Sequence, residues 1–302
     1  MTNKLTKKQK EAITGYLFFL PALINLVFLL GIPILFALYI SFTDYSLFNA
    51  NNLNFIGLQN YRNLFNDRLF YKSLQNTLFH VVFSIPVNTT IGVSLALLLN
   101  NQQLKGLKIF RTTFLLPTVV SGVAVTLLWQ WILDPNFGLI NSFLMNFGVQ
   151  GPGWLTDSAW SKPSIILMNS WSVGGTMMIY LAGLQGIPKT LYDSATIDGA
   201  GAFKRFWHVT VPMLSPTIFF NMITGAIGAF QVFTEAYIMT GGGPNNSTLY
   251  YAYYLYNKAF SDLHIGYASA MGWILMVITL TLTLLAIRIS KKYVHYEGGQ
   301  RN

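Results

Sequence analysis

The chain has 302 residues and a net charge of +9, with 53% hydrophobic residues, 15% aromatic residues, 10% charged residues and no cysteine. Soluble domains carry about 25% charged residues, so this little polar surface excludes a water-soluble globule and points to a polytopic membrane protein. The missing cysteine excludes a disulfide framework and any thiolate metal site.

A membrane-crossing helix needs about 20 mainly apolar residues. Six segments meet that test, at about 13–42, 74–100, 109–133, 164–186, 212–239 and 266–289. The first follows a basic tail, and its apolar run from Tyr16 to Phe42 is much longer than the core of a cleaved signal peptide. It reads as a retained span. The aromatic run "LYYAYYLYNKAF" between the fifth and sixth spans reads as an outer-interface helix carrying an aromatic belt. "TGGGP" at Thr240–Pro244 reads as the turn that ends the fifth span.

Fourteen of the 19 Lys and Arg residues fall in the N-terminal tail, the second and fourth loops and the C-terminal tail; Arg62, Arg68, Lys72, Lys162 and Lys258 fall on the other side. The positive-inside rule places the fourteen in the cytoplasm. Both termini are then cytoplasmic, which requires an even number of spans, and six fits. The expected layout is a cytoplasmic tail over 1–12, a six-span domain over 13–289 with a cytoplasmic loop at 187–211, and a cytoplasmic tail over 290–302 in a bacterial cytoplasmic membrane. The net charge is thereby spent on topology. Scattered over four segments without a binding motif, it argues for no nucleic-acid partner and for no anionic substrate.

Ionisable residues inside the spans are nearly absent: His80 lies in the second span and Glu235 near the outer end of the fifth. His80 reads as hydrogen-bonded packing, and Glu235 is close enough to the interface to reach water. An ion-coupled or facilitative secondary transporter of a small polar solute is the alternative reading, but ion coupling calls for midplane carboxylates. The chain has no G-x-x-x-x-G-K-[ST], no H-E-x-x-H and no nucleophile–base pair. It is expected to be no enzyme, to hold no metal or cofactor, and to draw energy from a partner.

The fourth loop holds "LYDSATIDGAGAFKRFWHVTVP", Leu191 to Pro212. Pro188 suits the first turn of a helix running to Asp198, with Leu191, Ser194, Ala195 and Asp198 on one face. Gly199, Ala200 and Gly201 can end it through a left-handed residue. A second short helix is expected from Ala202 to Val211, with Pro212 opening the fifth span. The small residues allow close approach of another surface, and Asp193, Asp198, Lys204 and Arg205 flank them with charge. A docking knob and a lipid-interfacial helix with a glycine cap both fit these residues.

This stretch resembles the cytoplasmic loop of binding-protein-dependent ABC importer permeases, whose pattern is E-A-A, three residues, G-A or D-G-A, then a spaced Phe and a terminal L-P. Asp193-Ser194-Ala195 stands where Glu-Ala-Ala is usual, Asp198-Gly199-Ala200 and Phe206 match, and Val211-Pro212 stands for Leu-Pro. "FIGLQNYRNLFND", "FRTTFLLPTVVSGVAVTLLWQWILDPNFGLIN" and "MTGGGPNNSTLYYAYYLYNKAFSDLHIGYASAMGWIL" extend the resemblance over nearly the whole chain. They are similar to the first of two unlike permeases in carbohydrate importers of the maltose, multiple-sugar and glycerol-phosphate group. The resemblance implies an all-α, type I importer permease embedded in membrane lipid. Its implied partners are a second homologous permease, two ATP-binding subunits that use ATP and Mg, and an extracytoplasmic binding protein that delivers the sugar. Asp193, Ser194, Ala195, Asp198, Gly199, Ala200, Lys204, Arg205, Phe206 and Pro212 would form the coupling loop.

A sugar path needs hydrogen-bonding groups and aromatic faces inside the bundle. Asn169, Trp171 and Ser172 on the fourth span and Asn221, Gln231 and Glu235 on the fifth are the candidates, with Gly174, Gly175, Gly225 and Gly228 making room. Tight interhelical packing fits the same residues.

Overall fold

The computed structural model describes residues 6–49, 53–101 and 103–293. The expected tails fall partly outside these: Lys4 in residues 1–5 and Arg301 in residues 294–302 lie outside the described residues. Four helices are long and apolar enough to cross a bilayer, and two bent helix pairs bring the spans to six. The helices are α1 (Lys7–Ser41), α2 (Gln59–Phe65), α3 (Arg68–Asn100), α4 (Leu107–Val119), α5 (Gly122–Ile132), α6 (Leu139–Met145), α7 (Ser161–Trp171), α8 (Gly174–Gln185), α9 (Lys189–Ile197), α10 (Ala202–Ala229), α11 (Tyr251–Tyr256) and α12 (Ile265–Tyr293). They form two compact units, the described residues of Met1–Asp67 with Leu255–Met276, and those of Arg68–Tyr254 with Val277–Asn302.

The first unit begins with a capping box. The Thr6 hydroxyl accepts from the Gln9 N–H, and the Gln9 side chain accepts from the Thr6 N–H. α1 then widens into a π segment at Asn25–Gly31, just before Ile32-Pro33. Pro33 lacks the N–H that would bond four residues back, and its ring crowds that carbonyl. The wider turn absorbs this, and the Ile32 N–H bonds the Val27 carbonyl five residues back. Beyond α1, the Asn60 amide donates to the Ser41 and Thr43 carbonyls, each at 2.8 Å. Those two bonds clamp α2 to the end of α1. The Tyr267 hydroxyl on α12 donates to Asp67 at 2.7 Å, and Lys258 pairs with Asp262 at 2.8 Å.

In the second unit α3 is the hub, packed against α7, α8 and α10. Ala96, Leu99, Met177, Tyr180, Leu181, Leu184 and Leu214 make its core. Small residues set how closely the helices approach. A Cβ on Gly92 would stand 3.0 Å from the Tyr180 ring, and one on Gly174 would overlap the Phe114 carbonyl. Many of the large apolar side chains left exposed, Phe220 and Leu284 among them, are on membrane-crossing helices.

Three expected spans take a different form. The third breaks by 100° between α4 and α5. Val120 there is extended, as suits a β-branched residue, and Ser121 follows as the N-cap position of α5. The fourth bends by 52° between α7 and α8, ahead of the Gly174-Gly175 pair. The fifth starts at Ala202, ten residues earlier than expected, and ends at Ala229. Pro212 does not open it. A π segment at Phe206–Thr210 carries the helix past Pro212, with the Val211 N–H bonded to the Phe206 carbonyl. Ile32-Pro33 and Val211-Pro212 are thus solved by one device. After Ala229 the chain leaves the helix at Gln231–Phe233, then makes a π segment at Ala236–Thr240.

The run "LYYAYYLYNKAF" is no interfacial belt in its first half. Tyr250, Tyr251, Tyr253 and Tyr254 are buried. The segment before it folds back on α3, where the Asn76 amide donates to the Asn246 and Leu249 carbonyls at 2.7 and 3.1 Å. The Tyr251 N–H donates to Thr77 at 2.8 Å. Burial of the tyrosines follows from this tertiary pairing, which local periodicity does not reveal.

Candidate functional site

Two features stand out in the second unit, an exposed loop and an internal cavity. The loop starts at Pro188, which is the extended N-cap of α9 and not its first turn. α9 closes with both bonds of a Schellman motif. The Ala200 N–H bonds the Ala195 carbonyl at 2.8 Å, and the Gly199 N–H bonds the Thr196 carbonyl at 3.0 Å. Gly199 takes φ +74°, a left-handed conformation that glycine adopts without strain, and a Cβ there would meet open space.

The two arms of the loop are tied together. The Tyr192 and Thr210 hydroxyls bond at 3.0 Å, and Arg205 donates to Thr196 at 3.2 Å. Tyr192 and Val209 also pack on the α3–α8 core. Asp193, Ser194, Asp198, Gly199 and Lys204 are exposed; Ala195, Ala200, Arg205, Phe206 and Pro212 are half-buried. Arg205 thus serves the loop's own structure, and Phe206 packs edge-on against Trp207 at 5.2 Å. Sequence reasoning passed over the loop's apolar tips. Ile197 is 86% exposed and Phe203 77% exposed. Their signal was two large apolar residues in a polar segment with no face of its own chain to cover them.

The cavity, about 300 Å³, lies between α3, α7, α8 and α10. From α7 and the bend after it come Asn169 and Ser172; from α10 come Asn221, Gly225 and Gly228. Val232 and Glu235 enter from the stretch that follows α10. Four of the six solute-path candidates therefore meet at one space. Trp171 does not line it and packs on Trp129 at 6.1 Å; Gln231 is exposed outside it. Gly174 and Gly175 do not line it either, and Gly174 serves the α4–α8 approach.

α3 supplies the wall that sequence reasoning left out: His80, Ser84, Asn88 and Thr89. α8 adds Thr176 and Tyr180. His80 is 2% exposed, its Nε2 lies 3.4 Å from the Asn169 amide, and its ring meets Tyr250 edge-on at 5.4 Å. The His80 Nδ1 and the Asn88 Oδ1 are buried with no protein partner. Buried polar atoms normally find one. The missed signal was spacing. Ser84 and Asn88 are four apart on α3, and His80 is four before Ser84, which puts all three on one helical face. The cavity offers hydroxyls, amides, an imidazole and a carboxylate, a set that binds polar solutes by hydrogen bonds.

Residues 16–295 match the family described as binding-protein-dependent transport system inner membrane component. A probable ABC transporter permease protein of Bacillus subtilis (strain 168) is 38% identical over 297 residues, which covers 97% of this chain and 95% of that protein. The lactose transport system permease protein of Rhizobium radiobacter is 36% identical over 291 residues, covering 94% and 96%. Among solved structures, a chain of a bacterial ABC transporter involved in the import of the acidic polysaccharide alginate superposes with a TM-score of 0.83 at 26% identity, covering 96% of this chain and 99% of that one. The same transporter in complex with an alginate pentasaccharide-bound periplasmic protein gives a TM-score of 0.82 at 26% identity, covering 96% and 98%. With its six spans, bent helix pairs and exposed loop, the chain belongs to the binding-protein-dependent inner membrane components, the permease subunits of ABC importers, and is a transport subunit and not an enzyme.

Proposed function

We propose that the chain forms half of the path for a sugar or oligosaccharide, with the polar cavity between α3, α7, α8 and α10 as its share of that path. The observation that carries this is the convergence of Asn169, Ser172, Asn221 and Glu235 with His80 and Asn88 around one space, two of whose buried polar atoms have no protein partner. In this reading a second homologous permease supplies the facing half. An extracytoplasmic binding protein delivers the solute, as the periplasmic protein does in the alginate complex. Two ATP-binding subunits dock on the loop at 187–211 and use ATP and Mg. Both termini are cytoplasmic, and the tails over 1–12 and 290–302 flank a single transport domain.

Mechanically, the loop is a stiff lever. Its Schellman turn, the Tyr192–Thr210 bond and the continuous helix from Ala202 to Ala229 join the loop to the cavity wall. Movement of the partner ATPases would therefore reach Asn221 along one continuous helix, biasing a two-state element from a distance. Asp193, Ser194 and Asp198 supply polar contacts, and Ile197 and Phe203 the apolar anchors that such a joint needs.

Copurification tests the assembly. The chain should bring down an ATPase and a second six-span protein, and proteoliposomes holding all three should take up sugar only with ATP and binding protein. Recovery alone, with full transport in the absence of ATP, overturns the reading.

A further inference from the structure

The relatives leave the charge of the cargo open, since lactose is neutral and alginate acidic. The cavity of this chain does not. Among the described residues, Glu235 is its only acidic lining residue, and no lysine or arginine lines it. Every other polar group there is a hydroxyl, an amide or the His80 imidazole. Glu235 follows the break in the α10 helix at Gln231–Phe233, on the helical turn that leads into the π segment at Ala236. Irregular backbone of this kind is tolerated in a membrane protein where it lines a cavity. We propose that Glu235 makes the cavity a charge filter, admitting uncharged polyhydroxylated solutes and rejecting uronate-, sulfonate- or phosphate-bearing ones. The proposal rests on the cavity being this chain's share of the solute path.

The chemistry follows from the donor and acceptor inventory. A carboxylate is acceptor-only with two oxygens, so it takes two hydroxyl hydrogens from a neutral sugar. An anionic substituent brings more acceptors and no donors, and it meets a like charge in a space where low-dielectric walls strengthen repulsion. Asn169 and Asn221 can donate or accept, and so do not discriminate by charge. Glu235 is the specificity-determining group.

The chain lacks cysteine, which makes the test direct. Ser172→Cys places one thiol on the cavity wall, and Ser142→Cys places one at an exposed position outside it. In the assembled importer, each is labelled with cationic, neutral and anionic methanethiosulfonate reagents, and the label on this chain is read by mass spectrometry. The cation-to-anion rate ratio at Ser172→Cys, divided by that at Ser142→Cys, should be about tenfold. It should fall to near one when Glu235→Gln is added and persist with Glu235→Asp. A normalised ratio near one with Glu235 in place overturns the charge filter, as does a ratio that Glu235→Gln leaves unchanged. Absence of labelling at Ser172→Cys by the neutral reagent, with Ser142→Cys labelled, overturns the solute path itself, so the two failures are distinguishable.

Discussion

The loop at 187–211 and the cavity are built in opposite ways. The loop is contiguous, made by a short helix, a left-handed glycine and a returning helix, with most of its bonds spanning fewer than twenty residues. The cavity draws its wall from residues as far apart as His80 and Glu235 and depends on how four elements pack. A local device can tolerate substitution at its surface and fail only in what it docks to. An assembled one fails when any supporting approach is lost.

The largest expected effect breaks the loop's function without touching its fold. Gly199→Trp should insert and fold, yet lower ATPase copurification at least about tenfold, since bulk at the exposed turn blocks close docking. Gly199→Ala carries the same positive φ, a strain of about 1 kcal/mol, without the bulk, and should keep association near the native level. Equal loss in both variants would mean that the turn's conformation matters and its exposed surface does not.

The cavity's scaffold should be brittle where the loop is tolerant. Gly174→Val puts a branched side chain against the Phe114 carbonyl. A cost of about 3 kcal/mol is expected, read as a lower unfolding temperature in detergent, although the residue touches no solute. Asn88→Leu separates function from stability inside the same region. It removes a buried oxygen that has no protein partner, so the unfolding temperature should hold or rise. The KM for sugar uptake should rise about fivefold, as expected for one lost hydrogen bond. A fall in stability equal to that of Gly174→Val would show that Asn88 is a packing residue.

The smallest effect lies outside both regions. Asn54 donates its side-chain amide and its backbone N–H to Asp44, and these bonds hold the exposed carboxyl below the usual carboxylate range. A carboxylate whose folded pKa is depressed contributes stability above its unfolded pKa, about 4, and loses it as the pH falls through the folded value. Asp44→Asn should therefore lower stability slightly above pH about 4 and leave the acid side, where that contribution is already lost, unchanged, together with ATPase association and cavity labelling.

The sequence by itself determined the membrane class, the number of spans and the loop. Apolar run length and the scarcity of charge are summed properties, and they survive whatever the packing does. The loop was legible because Gly199, Asp198 and Pro188 act on their immediate neighbours, although the helix after it ran through Pro212 by widening into a π turn. Ile197 and Phe203 show the limit of that legibility, because their exposure depends on which face of the loop the core claims through Tyr192 and Val209. Only the tertiary structure decided the bends at Val120 and Ser172, the burial of Tyr250 and Tyr251, and the meeting of His80, Asn88 and Glu235. The physical reason is that helix packing in lipid is set by close approach at residues such as Gly92 and Gly174 and by paired polar groups, since there is no hydrophobic gradient between helix faces to leave its trace in the periodicity.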